Sequence, residues 1–201
     1  MARVKLPPPL PAQVVDELTE RLGEEGVLVA LSEMLGYESE GVVAYRVPPR
    51  AVLLPRDTAE TSFVVRALAT QRIPFVARGA GTGLSGGALA LDESVVISTA
   101  RMRRVLDIDV PNRRARVEPG LINAELSRLV APHGLYFAPD PSSQSACTLG
   151  GNVAENAGGP HCLKYGVTLN HVLALSVVLP HGTVTTIASG DGEGGGDDLA
   201  G

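Results

Sequence analysis

A run of glycines constrains this chain more than any other feature of its sequence. Five of the ten residues in RGAGTGLSGG, from Arg78 to Gly87, are glycine, and the run directly follows residues 74–77, which predict a β-strand. Glycines let the main chain turn sharply and let backbone N–H groups approach a ligand closely. A pyrophosphate needs many such donors, and Thr82, Ser85 and Arg78 add two hydroxyls and a positive charge. This segment, the first glycine loop, therefore indicates a dinucleotide site.

Two familiar phosphate motifs fit the first glycine loop poorly. A P-loop needs Gly-Lys-Ser/Thr after its glycines, and the run contains no lysine. The pattern G-x-G-x-x-G fits only from Gly81 to Gly86, and no acidic residue ends a strand about 20 residues later, as a Rossmann unit requires. A mobile surface loop is the remaining alternative. It is less favoured because the glycines leave a predicted strand so abruptly.

A second loop has the composition of a cofactor pocket. Residues 139–159, PDPSSQSACTLGGNVAENAGG, combine glycines with small, hydroxyl and amide side chains, which suit a buried polar ring. Asn152 and Asn156 lie four residues apart and would share one face of a helix. We call this segment the second glycine loop. The two loops are far apart in sequence and could clamp one extended ligand from both sides.

Hydrophobic periodicity and turn residues predict an α+β or mixed α/β fold. A helical region over 11–35 is expected to break at Gly23 and Gly26. Asp57, with Glu60 three positions later, predicts the start of an amphipathic helix that continues to Arg72. Strands are expected at 52–54, 74–77, 95–98, 105–109, 115–117, 172–179 and 183–187, with a helix at 121–130.

Charge and composition exclude several classes of function. The net charge is −5, and the densest basic patch, which includes Arg101, Arg103 and Arg104, is offset by nearby acids, so nucleic-acid binding is not expected. A solvated edge is the preferred explanation of these arginines, with docking of an acidic partner as the alternative. No apolar run approaches the roughly 20 residues of a membrane span, and no secretory signal is evident, so a cytoplasmic location follows. Cys147 and Cys162 predict free thiols, and the histidines show no metal-ligand spacing.

The residues that carry these loops resemble a known family. The first glycine loop, the second glycine loop and Lys164-Tyr165-Gly166 together are similar to the FAD-binding domain of the vanillyl-alcohol-oxidase or PCMH type. Within that superfamily the sequence resembles the glycolate oxidase D subunits, with D-lactate and D-2-hydroxyglutarate dehydrogenases as relatives. The resemblance implies a two-lobed domain over 48–187, with lobes at about 48–133 and 134–187. A helical segment over 1–47 precedes it, and a flexible Gly/Asp-rich tail over 188–201 follows, where the domain is expected to be C-terminally truncated.

The resemblance also implies which residues bind FAD. Relatives that bind FAD covalently do so through a histidine near the position of Thr82, so non-covalent FAD is expected. The residues implied are Arg78, Gly79, Ala80, Gly81, Thr82, Gly83, Ser85, Gly86 and Gly87 in the first loop, Pro119 and Gly120 at a corner, Pro139, Asp140, Pro141, Ser142, Ser143, Cys147, Thr148, Gly150, Gly151, Asn152, Ala154, Asn156, Gly158 and Gly159 in the second loop, and Gly166 beyond it.

The implied reaction is oxidation of a small 2-hydroxy acid, of glycolate or D-lactate type, to the 2-oxo acid by hydride transfer to flavin N5. In the family a cap domain supplies the base and binds the substrate, and because this chain lacks it, the catalytic residues are unknown. The resemblance further implies partner flavin and iron–sulfur subunits that take the electrons. This chain has no iron–sulfur cysteine pattern, so any such cluster is expected in a partner. The alternative is a non-catalytic or incomplete flavin-binding module. A cell-wall UDP-sugar reductase is a third possibility, but the sequence of the second glycine loop argues against it.

His161 and Cys147 have simpler explanations than catalysis. His161 is expected to be structural or solvent-facing, because no acidic partner for it is evident in the sequence. Approach of His161 to the flavin or to a substrate carboxylate is the alternative. Cys147 is expected to pack as a small side chain rather than act as a nucleophile.

Overall fold

A computed structural model of the chain describes residues 6–188. The predicted flexible tail therefore lies outside the described residues, except for Ala188, which is the last residue of a strand. The described part contains both helices and sheets, which confirms the predicted mixed fold class. The predicted division into a helical segment and two lobes stays a prediction.

Four strands form a sheet at the centre of the fold: β1 (Val27–Leu28), β2 (Val52–Leu53), β3 (Phe75–Arg78) and β4 (Val95–Ser98). Their order in the sheet is β1-β2-β4-β3. The strands β2, β4 and β3 run parallel, and β1 pairs antiparallel with β2 at the edge. Val95 and Val96 of β4 are fully buried, as expected for a central strand covered on both faces.

Helices α1 (Ala12–Leu22) and α3 (Thr58–Thr70) pack in the same hydrophobic core as the sheet. α1 buries Val14, Leu18 and Leu22, which recur every four residues and so lie on one face. α3 begins where the sequence predicts, because the Asp57 side chain accepts the Glu60 N–H at 2.8 Å. In a full capping box the Glu60 carboxylate would also accept the backbone N–H of Asp57. In the described structure it accepts from Arg56 instead.

The predicted continuation of helix to residue 35 is wrong. Gly23 ends α1 with a φ of +77°, a conformation that favours glycine. Val27 and Leu28 then form β1, because their apolar side chains and backbone groups find partners in β2. Beyond α1, the predicted helical region keeps one short α-helix, α2 (Leu31–Met34), and two 3-10 turns, at Glu24–Gly26 and Leu35–Tyr37. Periodicity alone did not separate a short buried strand from a buried helix.

Two hairpins and three further helices complete the fold. The hairpin of β5 (Val105–Asp109) and β6 (Arg114–Val117) shares a core with α4 (Asn123–Val130). The α4 helix begins two residues later than predicted. The β7 and β8 hairpin packs on α3, where the Ser62 hydroxyl donates to the Gly182 carbonyl at 2.5 Å. The remaining bounds are α5 Leu149–Ala154, α6 Cys162–Tyr165, β7 Ala174–Val178 and β8 Val184–Ala188.

Across residues 6–188, no helix is both long and apolar enough to cross a membrane.

Candidate functional site

The two glycine loops meet in the fold. The first glycine loop leaves the carboxyl end of β3, and its Gly79 lies directly against Thr148, at the start of α5. A Cβ atom at Gly79 would overlap the Thr148 hydroxyl and would lie 3.7 Å from the Cα atom of Gly151. At the other end of the contact, a Cβ atom at Gly87 would lie 2.8 Å from the Glu155 carboxylate. The first glycine loop therefore packs along α5, which is part of the second glycine loop.

The Pro119-Gly120 corner joins the same assembly. The Gly150 N–H donates to the Pro119 carbonyl at 2.8 Å, and a Cβ atom at Gly150 would lie 2.5 Å from the Pro119 side chain. Gly120 packs in turn on the residues after β4, and its N–H donates to the Met102 carbonyl at 2.8 Å. Three segments that are separated in sequence thus form one continuous surface of closely packed backbone.

The first glycine loop has free hydrogen-bond donors. Within residues 6–188, the backbone amides of residues 79–85 donate to no protein acceptor. The next part of the loop differs, because the Glu40 carboxylate accepts the N–H groups of Gly86 and Ala88. A row of unpaired amides at the end of a strand can bind an anion with several oxygens. The donors predicted for a pyrophosphate are present at 79–85, while the Gly86 amide is already paired.

Arg78 ends β3 beneath this loop and is only 6% exposed. Its Nη2 atom donates to the carbonyls of Gly36 and Ser39 at 3.2 and 2.8 Å, and its guanidinium lies 5.5 Å from the centre of the Tyr37 ring. Burial lowers the pKa of Arg78, and the nearby Tyr37 and Glu40 partly offset that effect. The guanidinium remains charged at neutral pH, because arginine does not lose its proton in proteins. Arg78 therefore brings a positive charge beneath the free amides.

Three buried polar atoms in this region have no partner within the part of the chain that the structure describes. They are Arg78 Nη1, Asn152 Nδ2 and Asn123 Oδ1. Asn152 and Asn123 are 2% and 0% exposed, so water does not reach them freely. A buried polar group without a hydrogen bond costs about 1–3 kcal/mol, which indicates that such groups face a ligand or an ordered water. Together with the free amides, these atoms fit a ligand that has both phosphates and polar ring edges, as FAD does.

Asn123 was not predicted from the sequence. It stands at the start of α4, and its Nδ2 atom donates to the Pro139 carbonyl at 3.0 Å. Its backbone N–H donates to the Cys147 carbonyl at 3.0 Å, so α4 begins against the second glycine loop. Only the neighbourhood of Asn123 distinguishes it from any other asparagine near the start of a helix. The local sequence therefore carried no signal for it.

The first half of the second glycine loop, residues 139–147, is held by its own backbone. The Gln144 N–H donates to the Pro141 carbonyl, and the amides of Ala146 and Cys147 both donate to the Ser143 carbonyl, each at 2.8 Å. Cys147 is 3% exposed, which agrees with its expected packing role. The Thr148 hydroxyl then caps α5 by accepting the Gly151 N–H at 3.2 Å.

The second half of this loop corrects one expectation. Asn152 and Asn156 do not share a helix face, because α5 ends at Ala154 and Asn156 has a φ of +46°. Asn156 instead accepts the Leu169 N–H at 3.0 Å, which joins the loop to the segment after Gly166. Short glycine-rich helices end early because glycine adds little helix propensity.

His161 has an acidic partner, contrary to the expectation from sequence. Its Nδ1 atom lies 2.5 Å from the carboxylate of Asp140, and its backbone N–H donates to the same side chain at 3.3 Å. Burial raises the pKa of Asp140, but the hydrogen bonds from His161 outweigh it and hold the pKa below its ordinary value. Tyr165 lies beside the pair, with its ring centre 6.4 Å from that of His161. The predicted residues Gly158 and Gly159 lie against Cys162 and Asp140 respectively, at the base of this cluster.

An arginine-lined groove lies elsewhere on the molecule. It has a volume of about 640 Å³ and contains no residue of either glycine loop. Arg104 in this groove donates to the buried Glu118 carboxylate at 2.7 Å, and Arg103 donates to the Ala100 carbonyl at 2.6 Å. These arginines are thus bonded within the chain. We place the site at the glycine loops rather than in the groove, because, among the described residues, the loops bring free amides together with unpaired buried atoms.

No three His, Cys, Asp or Glu side chains come together as a metal site in the described range 6–188.

Comparison with known proteins concerns the domain as a whole. A family model described as FAD binding domain matches residues 49–188. Glycolate oxidase subunit GlcD of Escherichia coli K12 is 46% identical over 186 residues, which are 92% of this chain and 37% of that protein. D-lactate dehydrogenase of Archaeoglobus fulgidus is 40% identical over 146 residues, 70% of this chain and 32% of that protein. This chain therefore spans about a third of the length of these relatives.

The fold agrees as well. A structure of alkyldihydroxyacetonephosphate synthase superposes with a TM-score of 0.84 over 98% of this chain and 38% of that chain, at 20% sequence identity. At that identity the likeness concerns the fold alone.

Proposed function

This chain belongs to the family of FAD binding domains, and we propose that it holds FAD non-covalently as the redox centre of an oxidoreductase for small 2-hydroxy acids. The observation that carries the proposal is the row of free amides at 79–85, packed along α5 and above the buried charge of Arg78. Relatives named glycolate oxidase subunit and D-lactate dehydrogenase support the substrate class.

The FAD pyrophosphate would be bound by the first glycine loop. The amides of 79–85 would donate to its oxygens, and the hydroxyls of Thr82 and Ser85 would add donors. Arg78 would balance the negative charge from below, where its Nη1 atom is unpaired. Donors that are fixed by the fold before the ligand arrives lose little entropy on binding, which favours affinity.

The remainder of the cofactor would lie along the second glycine loop and the Pro119-Gly120 corner. The unpaired Nδ2 atom of Asn152 would donate to a carbonyl of the bound cofactor, and the unpaired Oδ1 atom of Asn123 would accept from an N–H or O–H group. Close backbone packing at Gly150 would exclude water from that surface. FAD supplies a hydride acceptor at its N5 atom, and the protein contributes binding, orientation and electrostatics.

The remaining predicted residues are proposed to line the same pocket. Asp140 and His161 would stand at its polar end, where the hydrogen bond between them fixes the orientation of the imidazole. Gly166, with a φ of +83°, would turn the chain away after the pocket. No base for the substrate is assigned.

Partner proteins follow from the relative with 46% identity, which is itself a subunit. We extend the proposal to partner subunits, flavin and iron–sulfur proteins among them, that take the electrons from the cofactor. A cytoplasmic location, or a peripheral one at a membrane through such partners, belongs to the same proposal.

A second candidate function is flavin binding without turnover by these 201 residues. The span of the match favours it, because the chain covers 37% of the length of glycolate oxidase subunit GlcD. Anaerobic addition of glycolate or D-lactate to the FAD-loaded chain distinguishes the two candidates. Bleaching of the flavin absorbance would support turnover, and an unchanged spectrum would support binding alone.

The first test is the visible spectrum of the purified chain, before and after acid precipitation. A flavin band that moves to the acid supernatant supports non-covalent FAD, and a band that stays with the pellet contradicts it. The matched comparison adds FAD or riboflavin to the flavin-free chain. Riboflavin lacks the pyrophosphate, so we expect FAD to bind and riboflavin to bind at least tenfold more weakly, as the loss of charge-assisted hydrogen bonds predicts. Equal affinity would exclude the first glycine loop as the phosphate site.

A further inference from the structure

The segment Gly36–Gly41 lies across the first glycine loop, and we call it the strap. It precedes the residues that match the FAD binding domain, which begin at residue 49. No motif in the sequence marks it as part of a site. The structure nevertheless connects it to both ends of the loop.

Three sets of contacts join the strap to the loop. At the start, the Arg78 side chain donates to the carbonyls of Gly36 and Ser39. In the middle, the Gly41 N–H donates to the Gly83 carbonyl at 3.1 Å. At the end, the Glu40 carboxylate accepts from Gly86 and Ala88. The strap thus spans the whole loop from its first residue to its last.

The contact in the middle is a close approach of two backbones. A Cβ atom at Gly41 would lie 2.7 Å from the Gly83 carbonyl oxygen and 2.9 Å from that of Thr82. Both neighbours are backbone atoms, so a methyl group here could be accommodated only by a shift of the strap or of the loop. Gly36 differs, because a Cβ atom there would have no heavy atom within 4 Å.

Glu40 is a buried acid, 5% exposed, whose hydrogen bonds go to backbone amides of the loop. A carboxylate that accepts two backbone N–H groups is bound much as a phosphate oxygen would be. Its charge also attracts that of the nearby Arg78. Glu40 therefore pairs the amides of Gly86 and Ala88, whereas the amides of 79–85 have no protein acceptor within residues 6–188.

We propose that the strap fixes the conformation of the first glycine loop, and that Glu40 is a positioning residue that confines a bound diphosphate to the amides of 79–85. The consequence for the cofactor rests on the proposed function, whereas the effect on the loop does not. A domain cut at the first residue of the family match would lack this support. The strap would hold the free amides in a fixed array before a ligand binds.

The test compares variants that differ only in whether they touch the loop. Gly41→Ala adds a methyl group against the loop, and Gly36→Ala adds the same group to open space. Glu40→Ala removes the carboxylate that accepts the loop N–H groups, and Glu40→Gln removes only its negative charge. Glu38→Gln is the matched control, because the Glu38 carboxylate bonds to Arg46 and not to the loop. Amide hydrogen exchange at Gly86 and Ala88, the two amides that Glu40 accepts, is measured without FAD. FAD affinity is measured by titration, and folding by thermal unfolding.

We expect Gly41→Ala and Glu40→Ala to speed exchange at Gly86 and Ala88. We also expect both to weaken FAD binding about tenfold or more, because the loop no longer holds its free amides in one array before the ligand binds. Glu40→Gln should lie between Glu40→Ala and the unaltered chain, because its amide oxygen still accepts one N–H. Both control variants should match the unaltered chain. Changes confined to the loop, with the unfolding temperature and exchange elsewhere preserved, distinguish positioning from general loss of stability.

Two outcomes separate this proposal from the proposed function. If FAD does not bind the unaltered chain, yet Gly41→Ala speeds exchange at Gly86 and Ala88 and Gly36→Ala does not, the strap proposal stands and the proposed function fails. If FAD binds and Gly41→Ala and Glu40→Gln leave both exchange and affinity unchanged, the strap proposal is overturned while the proposed function stands. Should Glu40→Ala fail to fold, the Gly41→Ala and Gly36→Ala pair decides alone.

Discussion

The contact between the two glycine loops should appear as an energetic coupling between Gly79 and Thr148. An alanine at Gly79 would place its methyl group on the Thr148 hydroxyl. That hydroxyl cannot move without loss of the α5 cap, because it accepts the Gly151 N–H at 3.2 Å. In Thr148→Ala the hydroxyl is gone, and the remaining Thr148 Cβ position is 3.6 Å from the new methyl group, an ordinary contact.

The magnitudes follow from these two contacts. Overpacking a close contact costs about 1–3 kcal/mol, and alanine in place of glycine restores about 0.4–1 kcal/mol through the unfolded chain. Gly79→Ala should therefore cost about 1–2 kcal/mol. Thr148→Ala should cost about 1 kcal/mol, because it removes a helix cap. The double variant should be no less stable than Thr148→Ala, so the coupling between the two sites is about 1–2 kcal/mol.

Denaturant unfolding of the four proteins of this cycle, followed by far-ultraviolet circular dichroism, measures the coupling. Gly79→Ala should unfold about 2–8 °C below the unaltered chain on heating, at about 2–4 °C per kcal/mol for a chain of this size. Gly83→Ala is the matched control in the same loop, because a Cβ atom there meets nothing nearer than 3.8 Å. Gly83→Ala should leave the stability unchanged or raise it by up to about 1 kcal/mol, through the unfolded chain. If Gly79→Ala costs as much in the Thr148→Ala background as in the unaltered chain, the loops do not meet as described.

Three further predictions concern stability and titration. Burial raises the pKa of Glu60, but the hydrogen bonds from Arg56 outweigh burial and lower the pKa below its ordinary value of 4.5. The ionised carboxylate therefore stabilises the fold above pH 4.5, and this stability should be lost as the pH falls through the lowered pKa. Unfolding of Glu60→Gln at several pH values should show a flatter acid limb, and an unchanged slope would contradict the assignment. His161→Ala should raise the pKa of Asp140, which carboxyl-carbon NMR measures, because burial is then opposed only by the backbone hydrogen bonds and no longer by the imidazole. Gly120→Ala should cost at least about 1–3 kcal/mol in thermal unfolding, because its methyl group would meet two backbone carbonyls.

Much of the fold was predictable because its determinants are local. The start of α3 follows from Asp57, whose side chain reaches an amide three residues away, and the buried stripe of α1 follows from a repeat of four residues. The strand β4 carries Val95-Val96-Ile97, and such an apolar run indicates burial wherever it lies. The sequence failed at Val27–Leu28, because a two-residue strand is decided by the partner it pairs with and not by its own pattern.

The candidate site was predictable in its loops and not in its supports. Glycine composition marked both loops, because only glycine permits such close backbone packing. Glu40 and Asn123 were missed, since each acts through partners 16 to 48 residues away that no local pattern connects. The pairing of His161 with Asp140, 21 residues apart, was missed for the same reason.

The sequence by itself determined where the chain turns tightly, which segments are apolar enough to be buried, and which loops can approach a phosphate, because these properties depend on residue type and short spacing. The tertiary structure decided which amides remain free. The backbone donors of 79–85 and those of Gly86 and Ala88 are chemically alike in the sequence. The folded position of Glu40 pairs the amides of Gly86 and Ala88, while those of 79–85 have no protein acceptor within residues 6–188. Hydrogen bonds depend on distances of about 3 Å, and folding alone brings residues far apart in the chain to that separation.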